Sequence, residues 1–155
     1  MINSNTEQLT ALWKESRTRL ENQLSSISAF DLRKKLAPSP NSLGFLLRHI
    51  VEVELLFAKN VFGAKDTKII AKTIIAQHDT GEWTDLEKLM MMLDNSRDIL
   101  MDIIQKQEVS DWDVEITTKE FGIKTKAQAL GRIISHTAYH AGQIGIILKY
   151  GTVFN

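Results

Sequence analysis

Four stretches of this chain repeat apolar residues at intervals of three and four, the spacing that gathers them on one face of an α-helix. The first runs from about Thr6 to Ile27, with Leu9, Leu12, Trp13, Leu20, Leu24 and Ile27 on its stripe. Ser4 followed by Glu7 predicts a capping box at its start. The second runs from about Asn41 to Phe62, bounded in front by Pro38 and Pro40 and behind by Gly63. The third runs from about Thr84 to Gln107, with Thr84 and Glu87 as a second capping box. Its stripe is Leu86, Leu89, Met90, Leu93, Leu100, Ile103 and Ile104. The fourth, from about Thr125 to Tyr150, opens on Thr125 and Gln128 and closes at Gly151.

Two connections are long. Ala64 to Trp83 contains Ile69-Ile70 and Ile74-Ile75, which suit a short helix or extended chain. Asp113 to Thr117 alternates in polarity and is followed by Phe121-Gly122-Ile123, a pattern that predicts a small β-hairpin. A connection of roughly 20 residues is long between antiparallel neighbours and suggests a crossover between parallel helices. The expectation is an all-α four-helix bundle with a long crossover between the second and third helices and a small hairpin before the fourth. The 155 residues suit a single domain, 1–155, with a core of its own.

Composition narrows the function. Lys+Arg and Asp+Glu number 19 each, for a formal net charge of zero. A neutral chain with no basic run longer than Arg33-Lys34-Lys35 argues against a nucleic-acid or anionic-membrane partner. Cysteine is absent, which removes disulfides, cysteine nucleophiles and thiolate ligands, so any thiol in the chemistry must come from a co-substrate. No segment approaches 18 uninterrupted apolar residues, and Met1 to Glu7 lacks the basic and apolar regions of a signal peptide. A cytoplasmic location is the expectation.

The candidate chemistry lies in histidine. His136 and His140 are spaced i and i+4, one turn apart on one helical face, where two imidazole nitrogens can hold one transition-metal ion. His49 sits in the apolar run Leu43 to Ile50 of the second helix. Three neutral imidazoles and an open position make the ligand set of a catalytic metal site. Histidines on apolar faces also occur simply as hydrogen-bonded core residues. If the second helix runs antiparallel to the fourth, His49 lies ~11 Å below the shared end of the bundle, His140 ~15 Å and His136 ~21 Å, which are compatible depths. Ser16 and Ser96 interrupt their stripes ~18 Å below that end. They would leave room for water or substrate there, unless they are merely small packing residues.

Groups that orient the imidazoles are expected around the ligands. Glu52, three residues after His49, and Gln143, three after His140, are the candidates. Glu52 is alternatively an edge carboxylate and Gln143 an interhelix contact, and Glu54 is weaker still. Tyr139 and Trp13 default to packing, and His78 to a solvated loop. A di-iron bundle is excluded because neither His136 nor His140 has a glutamate three residues before it.

The run His136-Thr137-Ala138-Tyr139-His140-Ala141-Gly142-Gln143-Ile144, with Leu148 and Gly151 after it, resembles the signature helix of the DinB/YfiT-like superfamily. Ser42-Leu43-Gly44 leading to Leu47-Arg48-His49 resembles the second-helix element of that family. The resemblance implies a bundle of up-down-down-up topology, often a homodimer. It implies a divalent metal such as nickel or zinc, held at the positions of His49, His136 and His140. Iron or copper also suits imidazole nitrogen. It further implies a metal-dependent thiol S-transferase or hydrolase, with a small-molecule substrate such as a low-molecular-weight thiol. The alternative is a non-catalytic, stress-related protein that binds a metal or small ligand. Catalytic residues beyond the ligand set stay open.

Overall fold

The computed structural model describes residues 4–154. The reading of the first residues as no signal peptide falls in part on 1–3, outside that range. The described chain is mostly helical, with one small two-stranded sheet. Its elements are α1 (Asn5–Leu24), α2 (Leu43–Asn60), α3 (Lys72–Ala76), α4 (Leu86–Gln105), β1 (Glu115–Thr118), β2 (Gly122–Thr125) and α5 (Lys126–Tyr150). Among these helices none is long and apolar enough to cross a membrane.

Local chemistry sets the helix starts. The Ser4/Glu7 and Thr125/Gln128 capping boxes both form, each satisfying backbone N–H groups that a helix start leaves bare. At α4 the cap is Asp85 rather than Thr84, its carboxylate accepting from the Lys88 amide at 3.0 Å. The first helix ends at Leu24, short of the expected Ile27, because Ser25 and Ser26 turn the chain. Ile27 still reaches the core, whereas Leu12, expected on the stripe, is 59% exposed. The hairpin pairs Glu115 with Thr125 through Thr118 with Gly122, as the alternating pattern predicts.

Helix α2 packs on α4 and α5, and α1 packs on α5 and α4. Two apolar clusters fill the interior. One gathers Leu20, Leu47, Ile50, Leu93 and Ile144; the other gathers Trp13, Phe57, Leu100, Leu130 and Ile133. Between them, at the level of Arg17, Glu54 and Ser96, lies a buried polar layer. Arg17 clamps Glu54 through two nitrogens at 3.0 and 3.1 Å, and Ser96 Oγ donates to the same carboxylate at 2.7 Å. Burial alone would push the Arg17 guanidinium down, but Glu54 and then Glu21 beside it more than offset that and raise it.

The crossover is anchored at its far end and in its middle. A Cβ on Gly44 would stand 2.0 Å from the Trp83 carbonyl oxygen, so only glycine lets the end of the crossover rest on the first turn of α2. Within it, α3 turns Thr73 inward to 2% exposure while Ile70, Ile74 and Ile75 stay on the surface. Of the two isoleucine pairs only Ile74-Ile75 falls in the short helix, and neither pair marks its buried face.

Candidate metal centre

Helix α5 presents His136 and His140 one turn apart, with ring centroids 4.5 Å from each other. Thr137 and Ala141, the next residues along, take the buried face, so both histidines sit at its edge, half-buried. His49 arrives from α2 with its ring stacked on Phe45, the centroids 5.9 Å apart and the planes 3° from parallel. Its centroid is 5.1 Å from each of the other two imidazoles. One nitrogen from each ring can be chosen so that all three lie within 4.8 Å of one another. The three histidines that the sequence singles out thus come together.

Hydrogen bonds fix how two of the rings face. His49 Nδ1 lies 3.0 Å from Thr73 Oγ1, and His140 Nδ1 lies 2.6 Å from Gln143 Oε1. The Gln143 amide donates onward to the Tyr139 hydroxyl at 3.3 Å. His49 Nε2 and His136 Nε2 approach to 3.2 Å, while His136 Nδ1 is buried without a hydrogen-bond partner among the described residues. Burial pushes all three imidazoles below the ordinary histidine pKa, His136 to about 3. Repulsion from His140 adds to the shift at His49 and His136, and the Gln143 contact opposes it at His140. Neutral imidazole is the form that binds metal.

This donor set fits a metal ion. Two nitrogens bound to one tetrahedral zinc at its usual bond lengths stand about 3.3 Å apart, close to the spacing of His49 and His136. Two imidazole lone pairs at such range repel unless a proton or a cation lies between them. Nδ1 atoms engaged away from the centre are the usual mark of metal-binding histidine.

The other candidates sort clearly. Gln143 does contact His140. Glu52 is fully buried rather than an edge carboxylate, and reaches His49 only through Thr73. Glu54 belongs to the core pair with Arg17. Ser96 is spent on that pair, and Ser16 donates to the Trp13 carbonyl of its own helix at 2.8 Å, so neither serine opens room beside the histidines. The space lies elsewhere: an open pocket of about 430 Å³ at His136, lined among others by Val53, Phe57, Arg132 and Tyr139. Trp13 is core, Tyr139 is 65% exposed at the pocket rim, and His78 is a surface residue. Sequence reasoning missed Thr73 and Arg48. Arg48 pairs with Glu52 at i+4, a spacing visible in the sequence, but nothing in the order of residues places Thr73 against His49.

The architecture and the cluster together define a helical protein with a three-histidine centre joining α2 to α5. The DinB superfamily pattern matches residues 12–144, and the chain belongs to that superfamily. No curated protein sequence matches it. Among solved structures it is similar to the colibactin self-resistance protein ClbS in complex with a double-stranded DNA. That match has a TM-score of 0.66 at 15% identity and covers 96% of this chain and 98% of the other. The expectation of no nucleic-acid partner is thereby corrected, since a protein of this fold is solved on DNA. Net charge is a sum over the whole surface and says nothing of where the cations stand.

Proposed function

We propose that His49, His136 and His140 hold one divalent transition-metal ion, nickel or zinc foremost. In this reading the chain is a metal-dependent enzyme of the thiol S-transferase or hydrolase type acting on a small molecule. The observation that carries the reading is the convergence of three neutral imidazoles, two with Nδ1 turned outward onto Thr73 and Gln143. An ion at this centre supplies Lewis acidity to whatever occupies its remaining position. The protein's part is positioning. Thr73 and Gln143 aim the rings, burial keeps them unprotonated, and the pocket beside His136 admits the substrate under Tyr139. Arg132 and Glu120, 3.2 Å apart at the rim, are the charged groups nearest that entrance.

Cross-element bonds support an up-down-down-up order of α1, α2, α4 and α5. Arg48 meets Met92, Glu54 meets Ser96 and Gln107 meets the Phe62 carbonyl, so α2 and α4 run the same way. Thr6 at the start of α1 meets the Gln107 carbonyl just past the end of α4, so those two run oppositely. We extend the proposal to a single domain that acts in the cytoplasm as a homodimer, which light scattering on purified protein tests.

Metal analysis of untagged protein is the primary test. About one equivalent of metal is expected, falling to background in His49→Ala and His140→Ala; unchanged content in either variant sinks the assignment. A panel of low-molecular-weight thiols with electrophiles then tests transfer. A second reading, metal or ligand binding without turnover, is favoured by the carboxylates: Glu52 and Glu54 are both committed to buried arginines. The likeness to ClbS adds double-stranded DNA to the ligands to be titrated.

A further inference from the structure

We propose that Thr73 is a positioning residue of the metal centre: it relays the carboxylate of Glu52 to His49 and fixes which imidazole nitrogen faces the open site. The inference rests on the reading of that cluster as a metal centre.

Glu52 receives Arg48 Nε on one oxygen at 2.7 Å, and on the other both the Thr73 amide at 2.9 Å and the Thr73 hydroxyl. A threonine hydroxyl has one proton to give, and here it goes to the carboxylate. Oγ1 has only lone pairs left for its next neighbour, His49 Nδ1 at 3.0 Å, so the imidazole must be the donor. A neutral ring with its proton on Nδ1 presents a bare Nε2, the nitrogen that faces His136 at 3.2 Å.

The placement of Thr73 is specific. Its neighbours Ile74 and Ile75 are 38% and 74% exposed, whereas Thr73 is 2% exposed. Both of its polar hydrogens are spent on one carboxylate oxygen. Arg48 adds a second tie, donating to the Ile70 carbonyl at 3.0 Å. A segment 24 residues from His49 along the chain thus supplies its orienting group, just as Gln143 orients His140 from within the same helix.

The experiment compares wild type, Thr73→Val and Thr73→Ser. Valine keeps the shape and removes the hydroxyl; serine restores it. Nickel and zinc affinities are measured by chelator competition, and the His49 tautomer by imidazole ¹⁵N shifts in metal-free protein. Thr73→Val is expected to weaken metal binding about 10- to 100-fold and to shift His49 away from the Nδ1-protonated form, while Thr73→Ser stays within a few-fold of wild type. Wild-type tautomer and affinity in Thr73→Val, or failure of Thr73→Ser to restore them, overturns the proposal. If Thr73→Val does not fold, the ¹⁵N shifts of wild type and Thr73→Ser decide: both must show Nδ1 protonated. If wild type binds neither metal, the metal-centre reading falls, and the tautomer measurement alone still decides the role of Thr73.

Discussion

His136 shows how burial and neighbours set the chemistry of one side chain. Its pKa of about 3 lies well below the ordinary 6.5, with desolvation the largest cause and the imidazoles of His140 and His49 next. The unfolded chain therefore binds a proton at this residue between those values that the folded chain refuses. The stability tied to neutral His136 is complete above pH 6.5 and is lost as pH falls towards 3. Thermal melting of metal-free protein should drop more steeply for wild type than for His136→Gln between about pH 7 and 4, because glutamine has nothing to titrate. Parallel curves would show that His136 pays no desolvation in the fold. At this scale the sequence is legible wherever spacing along one helix does the work, as with His136 and His140, or His140 and Gln143. It is silent on Thr73, whose contact with His49 depends on the path of the crossover.

Elements are joined here by a polar layer as well as by apolar stripes. Arg17 of α1, Glu54 of α2 and Ser96 of α4 meet between the two apolar clusters, and Arg17 also donates to the Leu93 carbonyl at 3.0 Å. Glu54 is fully buried and Arg17 is 2% exposed, so neither has water to fall back on when its partner is removed. Glu54→Ala should cost about 3–5 kcal/mol in chemical denaturation, since it removes the buried counter-charge and two hydrogen bonds of the guanidinium, leaving it only the part-exposed Glu21 and the Leu93 carbonyl. The double replacement Arg17→Met with Glu54→Leu should recover much of that loss, because an apolar pair carries no desolvation cost. A double variant as unstable as the single one would mean that geometry, not charge burial, dominates. The four long helices and two of the three capping boxes are legible because period and cap chemistry are local. The inward turn of Ser96 is not, because a serine on a stripe reads equally as a gap beside a site or as a donor to a buried carboxylate. Only the position of Glu54 on the facing helix decides between them.

At the scale of the molecule, the three-histidine cluster is a clip between α2 and α5, helices whose histidines lie 87 residues apart along the chain. An ion bound there adds a crosslink that the unfolded chain lacks, so its binding energy becomes folding stability by mass action. Zinc or nickel at about 100 times its dissociation constant is worth about 2.7 kcal/mol. For a chain of this length that raises Tm by about 5–10 °C. His49→Ala removes the only α2 ligand while leaving the helical pair on α5. It should therefore abolish the metal-induced rise, with a much smaller effect on the metal-free melting point. His78→Ala, on the surface of the crossover, should keep the full rise. If His49→Ala retained the rise, the metal would be held by α5 alone, and the closure of the centre across the bundle would not contribute to stability.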